Sequence, residues 1–348
     1  MMILDLLYNQ QYLKSFKNKI KMDRLLLIPP LISFLIALLT ANIWIKKAKD
    51  AGIVGKDMHK LSGESVAEAG GVFVLIAFVI GVMIYIWIIT FHFHSTGELV
   101  QIFALITSIL IIGFIGFIDD ILGWKIGINR KTRLILLFFA AIPLMVINAG
   151  VSEMMGIEFG ILFPLVLIPL GIIGTSATFN FLAGYNGLEA SQGILILSAL
   201  SYVTYATGNK WLTIVTLCMV ASLIGFYFFN RNPAKVFPGD SLTYPVGAMI
   251  AIIAILGNIE KISIFFFIPY IIEVGLKSRG KLKKESFAKV NPDRSIEKPY
   301  KKIYGLEHLA IVILKKIKPS KKVYENDVVY AINLFQIIII LIGFLLFL

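Results

Sequence analysis

The sequence has few charged residues and one cysteine, and each shortage narrows what the chain can be. Only 16 % of its 348 residues are charged, whereas 58 % are hydrophobic and the mean hydropathy is +0.85. A water-soluble domain of this length needs more charge on its surface, so that class is excluded. Cys218 lies inside an apolar run and, being the one cysteine, allows no intramolecular disulfide.

Sequence signatures of several enzyme classes are also missing. There is no Walker loop, zinc-ligand spacing or internal repeat. His92 and His94 are better interpreted as interfacial histidines than as a metal site, because they lie away from the other polar groups. No short apolar segment with a small-residue cleavage site comes before the first long apolar run, so we expect no cleaved signal peptide.

Long apolar runs are what the sequence has in quantity. Runs of about 20 apolar residues can cross a bilayer as helices. They predict an all-α polytopic membrane protein with about ten transmembrane helices in one bundle. The predicted spans are 24–45, 70–91, 98–118, 133–149, 160–181, 188–207, 211–229, 241–257, 261–277 and 328–348. A basic tail, 1–23, comes before this single domain of 24–348, and translation could start at Met1 or at Met22.

Lysine and arginine are distributed unequally between the loops. Loops after odd-numbered spans carry 26 of them, fifteen between Lys277 and Lys322, whereas loops after even-numbered spans carry two. Basic loops stay on the cytoplasmic side of a membrane. We therefore expect an integral cell-membrane protein whose odd loops, including the basic loop 278–327, face the cytoplasm. The tail 1–23 is the exception, since parity places its basic residues outside.

Acidic and amide residues fall on the same odd side. Asp119 and Asp120 end the third span, and adjacent carboxylates at the hydrocarbon boundary repel each other unless a cation or proton lies between them. Asn180 and Asn186 follow the fifth span, and Asp240 comes just before the eighth. Each group alone has an ordinary structural alternative: a solvated helix end, a turn or an N-cap.

The loop after the first span adds Lys56, Asp57 and Glu68 to these groups. Carboxylates and amide oxygens suit Mg²⁺, and neighbouring lysines and arginines suit phosphate. Taken together, the residue types predict an active site at the cytoplasmic mouth of the bundle that handles a magnesium-bound diphosphate.

The segments FIDD, NFLAGYNGLEASQG and FPGD occur in an order that resembles the polyprenyl-phosphate N-acetylhexosamine-1-phosphate transferase family. The pattern is most like the archaeal and eukaryotic UDP-GlcNAc:dolichyl-phosphate GlcNAc-1-phosphotransferases. The resemblance covers about residues 52–240 together with the ten-span layout. It implies transfer of GlcNAc-1-phosphate from UDP-GlcNAc to dolichyl or polyprenyl phosphate, releasing UMP, as the first membrane step of N-glycosylation-type glycan synthesis.

The resemblance also implies residue roles. Asp119 and Asp120 would be catalytic, and Asn180 and Asp240 would bind Mg²⁺, for which Mn²⁺ could substitute. The nucleotide-sugar pocket would comprise Lys56, Asp57, Met58, Glu68 and Asn186, the last facing the uracil, with Ser286 and Lys289 as weaker candidates and His308 weaker still. The lipid phosphate would be bound by Arg133 or, almost equally well placed, Lys131, with Thr175 and Thr178 in the flanking segment 175–181.

Two departures from the family pattern leave alternatives open. Gly123 stands where many relatives have an acidic or amide residue, and loop 278–327 lacks both the bacterial histidine-rich motif and the eukaryotic Arg-His-Arg segment. The donor could therefore be another UDP-HexNAc, and the basic loop could simply attract anionic lipid headgroups.

An ion-coupled membrane transporter is the alternative from another class. That function predicts ionisable residues near mid-span, whereas the stretches 74–89 and 134–148 are free of charged residues. Besides the donor and the lipid we expect no nucleic-acid partner, and a homodimer is left open.

Overall fold

The computed structural model describes residues 24–61, 63–123 and 127–348. Helices dominate this part of the chain, and its named strands form three two-stranded antiparallel sheets. The basic tail 1–23 lies outside the described residues. The two candidate start positions, Met1 and Met22, lie within that tail.

The helices follow the predicted apolar runs, because each run is long enough to bury a helical segment. Their bounds are α1 Ile28–Asp50 after a 3₁₀ turn at Arg24–Leu27, α2 Gly71–Phe91, α3 Leu99–Leu122, α4 Arg130–Val146, α5 Ile168–Phe179 after a π turn at Phe163–Leu167, α6 Leu188–Ala206, α7 Lys210–Asn230, α8 Asp240–Gly257, α9 Glu260–Phe266, α10 Ile268–Ser278, α11 Leu306–Ile317 and α12 Glu325–Phe347. The strands are β1 Val54–Lys56, β2 Ser65–Ala67, β3 Glu153–Met154, β4 Ile157–Glu158, β5 Lys289–Val290 and β6 Ile296–Glu297.

Six described helical segments are long and apolar enough to cross a membrane. They are Arg24–Asp50, Gly71–Phe91, Leu99–Leu122, Lys210–Asn230, Asp240–Gly257 and Glu325–Phe347, and Phe163–Phe179 is a shorter apolar helix. The chain is thus a mostly helical, multi-pass membrane protein, as predicted. The count of ten spans stays a prediction.

The predicted ninth span is not one helix. Phe267 separates α9 from α10, and Pro269 lies in the first turn of α10. Proline has no N–H to donate into a continuing helix and clashes with the preceding turn. The segment 261–277, predicted as one span, therefore consists of two short helices rather than one continuous helix.

Helix α8 lies in the middle of the bundle. It packs against α3 and α5, and nearly all of its residues are buried. The contact with α3 needs a residue without a side chain, since a Cβ at Gly116 would lie 2.3 Å from the carbonyl oxygen of Asp240. This close approach brings the C-terminal end of α3 against the N-terminal end of α8.

The loops at this end of the bundle are tied together by backbone contacts. Strand β1 pairs with β2, and Ala67 of β2 forms a parallel bridge with Val236 in the loop before α8. The backbone N–H of Phe237 donates to the carbonyl oxygen of Ala67 over 2.7 Å. The loops after α1 and α7 therefore lie side by side.

The basic loop 278–327 contains regular structure that the sequence did not predict. Strands β5 and β6 pair there, and helix α11 packs against α10 and α12. Leu306 and Ile311 lie on the buried face of α11. The apolar part of α11 is too short to be recognised as a span, and the lysines around it made the segment look like a solvated loop.

Candidate active site

A cavity of about 710 Å³ opens at the end of the bundle where α3 and α5 end and α8 begins. This volume is typical of a small-molecule site. The lining residues that the sequence had singled out are Lys56, Asp57, Met58, Glu68, Asp120, Asn180, Asn186 and Asp240. Four separate loops and helix ends contribute them, so the fold brings groups distant in sequence to one cavity.

Asp240, the first residue of α8, faces Asn180 at the C-terminal end of α5. Asn180 Nδ2 donates to Asp240 Oδ1 over 2.8 Å, and Thr243 Oγ1 donates to Asn180 Oδ1 over 3.1 Å. The other carboxylate oxygen, Asp240 Oδ2, lies 3.7 Å from Arg133 Nη2. A carboxylate and an amide are thus in contact, with a guanidinium beside them.

Asp120 binds the backbone at the start of α8. The N–H groups of Asp240 and Ser241 donate to its two carboxylate oxygens over 2.7 and 3.1 Å. Gly239 allows this contact, since it has φ +68° and a Cβ there would lie 2.2 Å from Asp120 Oδ2. The carboxylate satisfies N–H groups that have no partner within the helix and complements the helix dipole. This is the geometry of a positioning residue for Asp240.

Asp119 turns toward α4. Arg133 Nη2 donates to Asp119 Oδ2 over 2.6 Å, and the backbone N–H of Ile128 donates to Asp119 Oδ1. The guanidinium of Arg133 also lies 5.3 Å from the ring centroid of Tyr244. The two adjacent carboxylates therefore have separate sets of donors, which relieves the repulsion expected from the sequence.

The residues Asn180 and Asp240 suit a magnesium ion. Amide and carboxylate oxygens are the hard ligands that Mg²⁺ accepts in proteins. In the described part of the chain, Arg133 is the one cation in ion-pair contact with the carboxylates of Asp119 and Asp240. With Asp120 adjacent, this corner holds more carboxylates than cations, and a divalent ion would balance the charge.

Asn186 and Asp57 form a second contact pair that lines the same cavity. Asn186 Nδ2 donates to Asp57 Oδ2 over 2.9 Å, and the backbone N–H of His59 donates to Asp57 Oδ1 over 3.0 Å. Both Asn186 and Asp57 are buried. The hydrogen bond fixes the loop after α1 against the turn before α6.

Glu68 lines the cavity and is partly buried. It lies between β2 and α2, and burial raises the pKa of its carboxyl above the ordinary value. A Cβ at Gly55 would lie 2.3 Å from Glu68 Oε1, so the side chain crosses directly over β1. Burial thus makes the protonated form of Glu68 easier to reach than in an exposed glutamate.

Several predicted site residues do not line the cavity. They are Asp119, Lys131, Arg133, Thr175, Thr178, Ser286, Lys289 and His308. Arg133 nevertheless contacts the cavity wall at Asp240, and Asp119 is joined to that wall through Arg133. Lys131 and Lys289 are exposed, whereas Ser286 is buried and its Oγ accepts a hydrogen bond of 2.6 Å from Lys277 Nζ.

The cavity is also lined by side chains that were not predicted from the sequence, including Tyr185, Glu189, Asn230, Phe237, Thr243 and Phe287. Glu189 lies within the segment NFLAGYNGLEASQG and could have been chosen from it; its Oε1 accepts from the backbone N–H of Gly184 over 2.7 Å. Phe237 and Phe287 carried no signal, because aromatic residues make up 12 % of the chain. Only the fold distinguishes them from lipid-facing rings.

Glu307 of α11 is fully buried behind the cavity. A Cβ at Gly305 would lie 2.4 Å from Glu307 Oε2 and 3.0 Å from Glu273 Oε1, so the two carboxylates are close neighbours. Burial, and then the charge of Glu273, raise the pKa of Glu307 to about 8. On the next residue, burial lowers the pKa of the His308 imidazole to about 4. Both side chains are therefore favoured in their neutral forms.

We expect Glu307→Gln to stabilise the protein at pH 8 and to change it little at pH 5. The folded state keeps a proton that the unfolded chain releases near pH 4.5, so stability falls as the pH rises from there to about 8. Glutamine removes the ionisation. The apparent melting temperature in detergent should rise by about 2 °C or more at pH 8. Glu158→Gln, on exposed β4, serves as the control, and an equal gain at both pH values would contradict the prediction.

The comparisons with known proteins agree on one family. A sequence model described as glycosyl transferase family 4 matches residues 102–258. A Saccharolobus solfataricus protein is 36 % identical over 287 residues, which are 79 % of this chain and 85 % of that protein. A Sulfolobus acidocaldarius protein is 33 % identical over 273 residues, 76 % of this chain and 81 % of that protein.

Both archaeal relatives are provisionally named UDP-N-acetylglucosamine–dolichyl-phosphate N-acetylglucosaminephosphotransferase. A Dictyostelium discoideum protein that carries the same name without qualification is 28 % identical over 265 residues, 64 % of each chain. The matched segment 102–258 includes α3, α5 and the start of α8, which together supply the corner around Asp240.

Proposed function

This chain belongs to glycosyl transferase family 4, and from that premise we propose that it transfers GlcNAc-1-phosphate from UDP-GlcNAc to dolichyl or polyprenyl phosphate. The products are GlcNAc-diphospho-lipid and UMP. The observation that carries the proposal is that one cavity is lined both by Asn180 and Asp240, which contact each other, and by Asn186 and Asp57, which contact each other. Neither the family match nor the relatives' names support the transporter alternative.

The reaction joins two anions, which repel each other. Arg133, beside the cavity, supplies positive charge that reduces this repulsion. An oxygen of the lipid phosphate attacks the β-phosphorus of the UDP-sugar, and the bond from that phosphorus to the bridging oxygen breaks as UMP leaves. The lipid phosphate already carries negative charge near neutral pH, so little base catalysis is needed. Arg133, 3.7 Å from Asp240, places positive charge where the two phosphates would meet. The remaining rate acceleration would come from holding the donor and the lipid phosphate in a productive orientation.

Asn180 and Asp240 would hold Mg²⁺, which would neutralise the donor diphosphate and stabilise charge on the departing UMP. Asp120 supports this corner, because it fixes the backbone of Asp240 through two N–H groups. Asp119 keeps Arg133 in place through a 2.6 Å ion pair. We assign Asp120 and Asp119 positioning roles on this geometry.

The nucleotide would occupy the side of the cavity formed by Asn186, Asp57 and the rings of Phe237 and Phe287. Aromatic faces suit a base, and a buried amide can hydrogen-bond its edge. Lys56 would pair with a phosphate oxygen. Because Ser286 and Lys289 do not line the cavity, the donor sugar would meet other groups, and another UDP-HexNAc remains the alternative donor.

We place the cavity on the cytoplasmic side of the membrane. The loops on this side carry 26 lysines and arginines against two on the other, which is the asymmetry that sets membrane orientation. The loops after α1, α3, α5, α7 and α10 all belong to the odd-numbered set, and residues from all five line the cavity.

Purified protein should convert radiolabelled UDP-GlcNAc and dolichyl phosphate into labelled lipid and an equal amount of UMP when Mg²⁺ is present. EDTA should stop turnover, and added Mg²⁺ should restore it fully, with Mn²⁺ as the second metal to try. Parallel reactions with UDP-GalNAc test the alternative donor. Absence of a lipid product with every UDP-HexNAc would contradict the transferase function, whereas full activity in EDTA would contradict the metal proposal alone.

A further inference from the structure

The first residue of the last helix, Glu325, contacts Asn186, which lines the part of the cavity proposed to bind the nucleotide. Glu325 begins α12, and its Oε1 accepts a 2.8 Å hydrogen bond from the backbone N–H of Asn186, 139 residues earlier. Glu325 is 5 % exposed and does not line the cavity. It can therefore act on a ligand only through the residues that it contacts, of which Asn186 lines the cavity.

The same carboxylate joins three loops. Glu325 Oε1 lies 3.6 Å from His59 Nδ1, and Glu325 Oε2 lies 3.6 Å from Lys60 Nζ. His59 Nε2 accepts a hydrogen bond from the backbone N–H of Ala288 over 3.2 Å. Because Nε2 accepts, the neutral ring carries its proton on Nδ1, the nitrogen that faces Glu325. The carboxylate of Glu325 thus contacts the loop after α1 and the turn before α6. Through His59 it is also linked to the basic loop 278–327.

A metal ion at this point is disfavoured, although ligand atoms of Asp57, His59 and Glu325 lie within 4.8 Å of one another. The nitrogen of His59 that faces the group carries a proton, and the two oxygens of Asp57 already accept from His59 N and Asn186 Nδ2. Lys60 supplies the positive charge that an ion would otherwise provide. The cluster is therefore an anchor for Asn186.

The anchor decides which end of the Asn186 amide is left for a ligand. The carboxylate of Asp57 can only accept when ionised, so it takes Asn186 Nδ2. Asn186 Oδ1 hydrogen-bonds to none of the described residues and remains as an acceptor. Asn186 Oδ1 can accept a hydrogen bond from N3–H of uracil. It cannot bond to N3 of cytosine, because that nitrogen is itself an acceptor.

We propose that Glu325 is a positioning residue that holds Asn186 so that the cavity prefers uridine over cytidine nucleotides. This proposal rests on the function proposed above, because it assumes that the cavity binds the nucleotide of a UDP-sugar. Glu325 fixes the backbone of Asn186 while Asp57 fixes its side chain. Losing the first contact lets the backbone of Asn186 shift, which weakens the alignment of its side-chain amide with the base.

The test compares the affinities of UMP and CMP for purified full-length protein, measured by titration calorimetry in detergent. Glu325→Ala should raise the Kd of UMP about tenfold and that of CMP less than about threefold, so that the preference for UMP falls. Glu325→Gln should shift the preference in the same direction by a smaller factor, since its amide oxygen can still accept from Asn186. If Glu325→Ala does not fold, the comparison of UMP with CMP is made with Glu325→Gln instead.

Asp327→Ala is the matched control. Asp327 also lies in the first turn of α12, where it accepts from Tyr324 N and pairs with Lys318 Nζ over 2.6 Å, without contacting Asn186. Its loss should leave the preference for UMP within about threefold of the wild type. Equal weakening of UMP and CMP in both Glu325 variants, or no change in either, would overturn the proposal. Wild-type protein that binds neither nucleotide would instead overturn the proposed function.

Discussion

Asp240→Asn should lower the rate of lipid-linked sugar formation by about 10³-fold while leaving the protein folded. Asparagine has the shape of aspartate, and the backbone N–H at position 240 would still donate to Asp120. The change removes the charge that lies 2.8 Å from Asn180 Nδ2 and 3.7 Å from Arg133 Nη2. A 10³-fold loss corresponds to about 4 kcal/mol, the size of effect expected when a metal site in a transfer reaction is disabled.

The measurement is the initial rate with radiolabelled UDP-GlcNAc, together with gel filtration and thermal denaturation to check folding. Glu158→Gln makes the same carboxylate-to-amide change on exposed β4, away from the cavity, and should keep wild-type activity. UMP should bind Asp240→Asn within about threefold of its wild-type affinity, since Asn186 and Asp57 are untouched. Activity of Asp240→Asn within tenfold of the wild type would contradict the proposal that Asp240 binds Mg²⁺.

The sequence predicted the helices well and their interruptions poorly. Hydropathy located α1, α2 and α3 to within a few residues, because an apolar run of that length in a membrane protein has few alternatives to a helix. The break at Phe267 was missed, although Pro269 was visible, because proline also occurs inside membrane helices such as α4, which contains Pro143. Whether it ends a helix depends on the packing around it.

For the site, loop parity predicted which residues share one end of the bundle but not which contacts they make. Asp119 and Asp120 were treated as a pair, yet one binds Arg133 and the other binds the N–H groups of α8. That division depends on how α3 meets α4 and α8, which no local pattern records. Glu325 was missed for the same reason, since its partner Asn186 lies 139 residues away.

Arg133→Ala should lower kcat/KM for the lipid phosphate by about 10²-fold. Arg133 is the cation in contact with both Asp119 and Asp240, and its side chain is 24 % exposed, so a phosphate can still reach it. Its Nε is buried and makes no hydrogen bond to any described residue, which leaves a donor for an anion oxygen. A charge-assisted hydrogen bond to phosphate, with the positive charge beside the reacting groups, accounts for a loss of about 3 kcal/mol.

Lys131→Ala distinguishes the two candidates that the sequence left open. Lys131 lies two residues earlier on α4 and is exposed, so its charge is screened by water and its loss should change kcat/KM by less than about threefold. Arg133→Ala also leaves Asp119 unpaired, a side effect that Asp119→Asn/Arg133→Ala removes because asparagine carries no charge. If the double variant stays as slow as Arg133→Ala, the loss belongs to the missing guanidinium. Recovery of activity in the double variant, or a larger effect in Lys131→Ala, would contradict the assignment of Arg133 to the lipid phosphate.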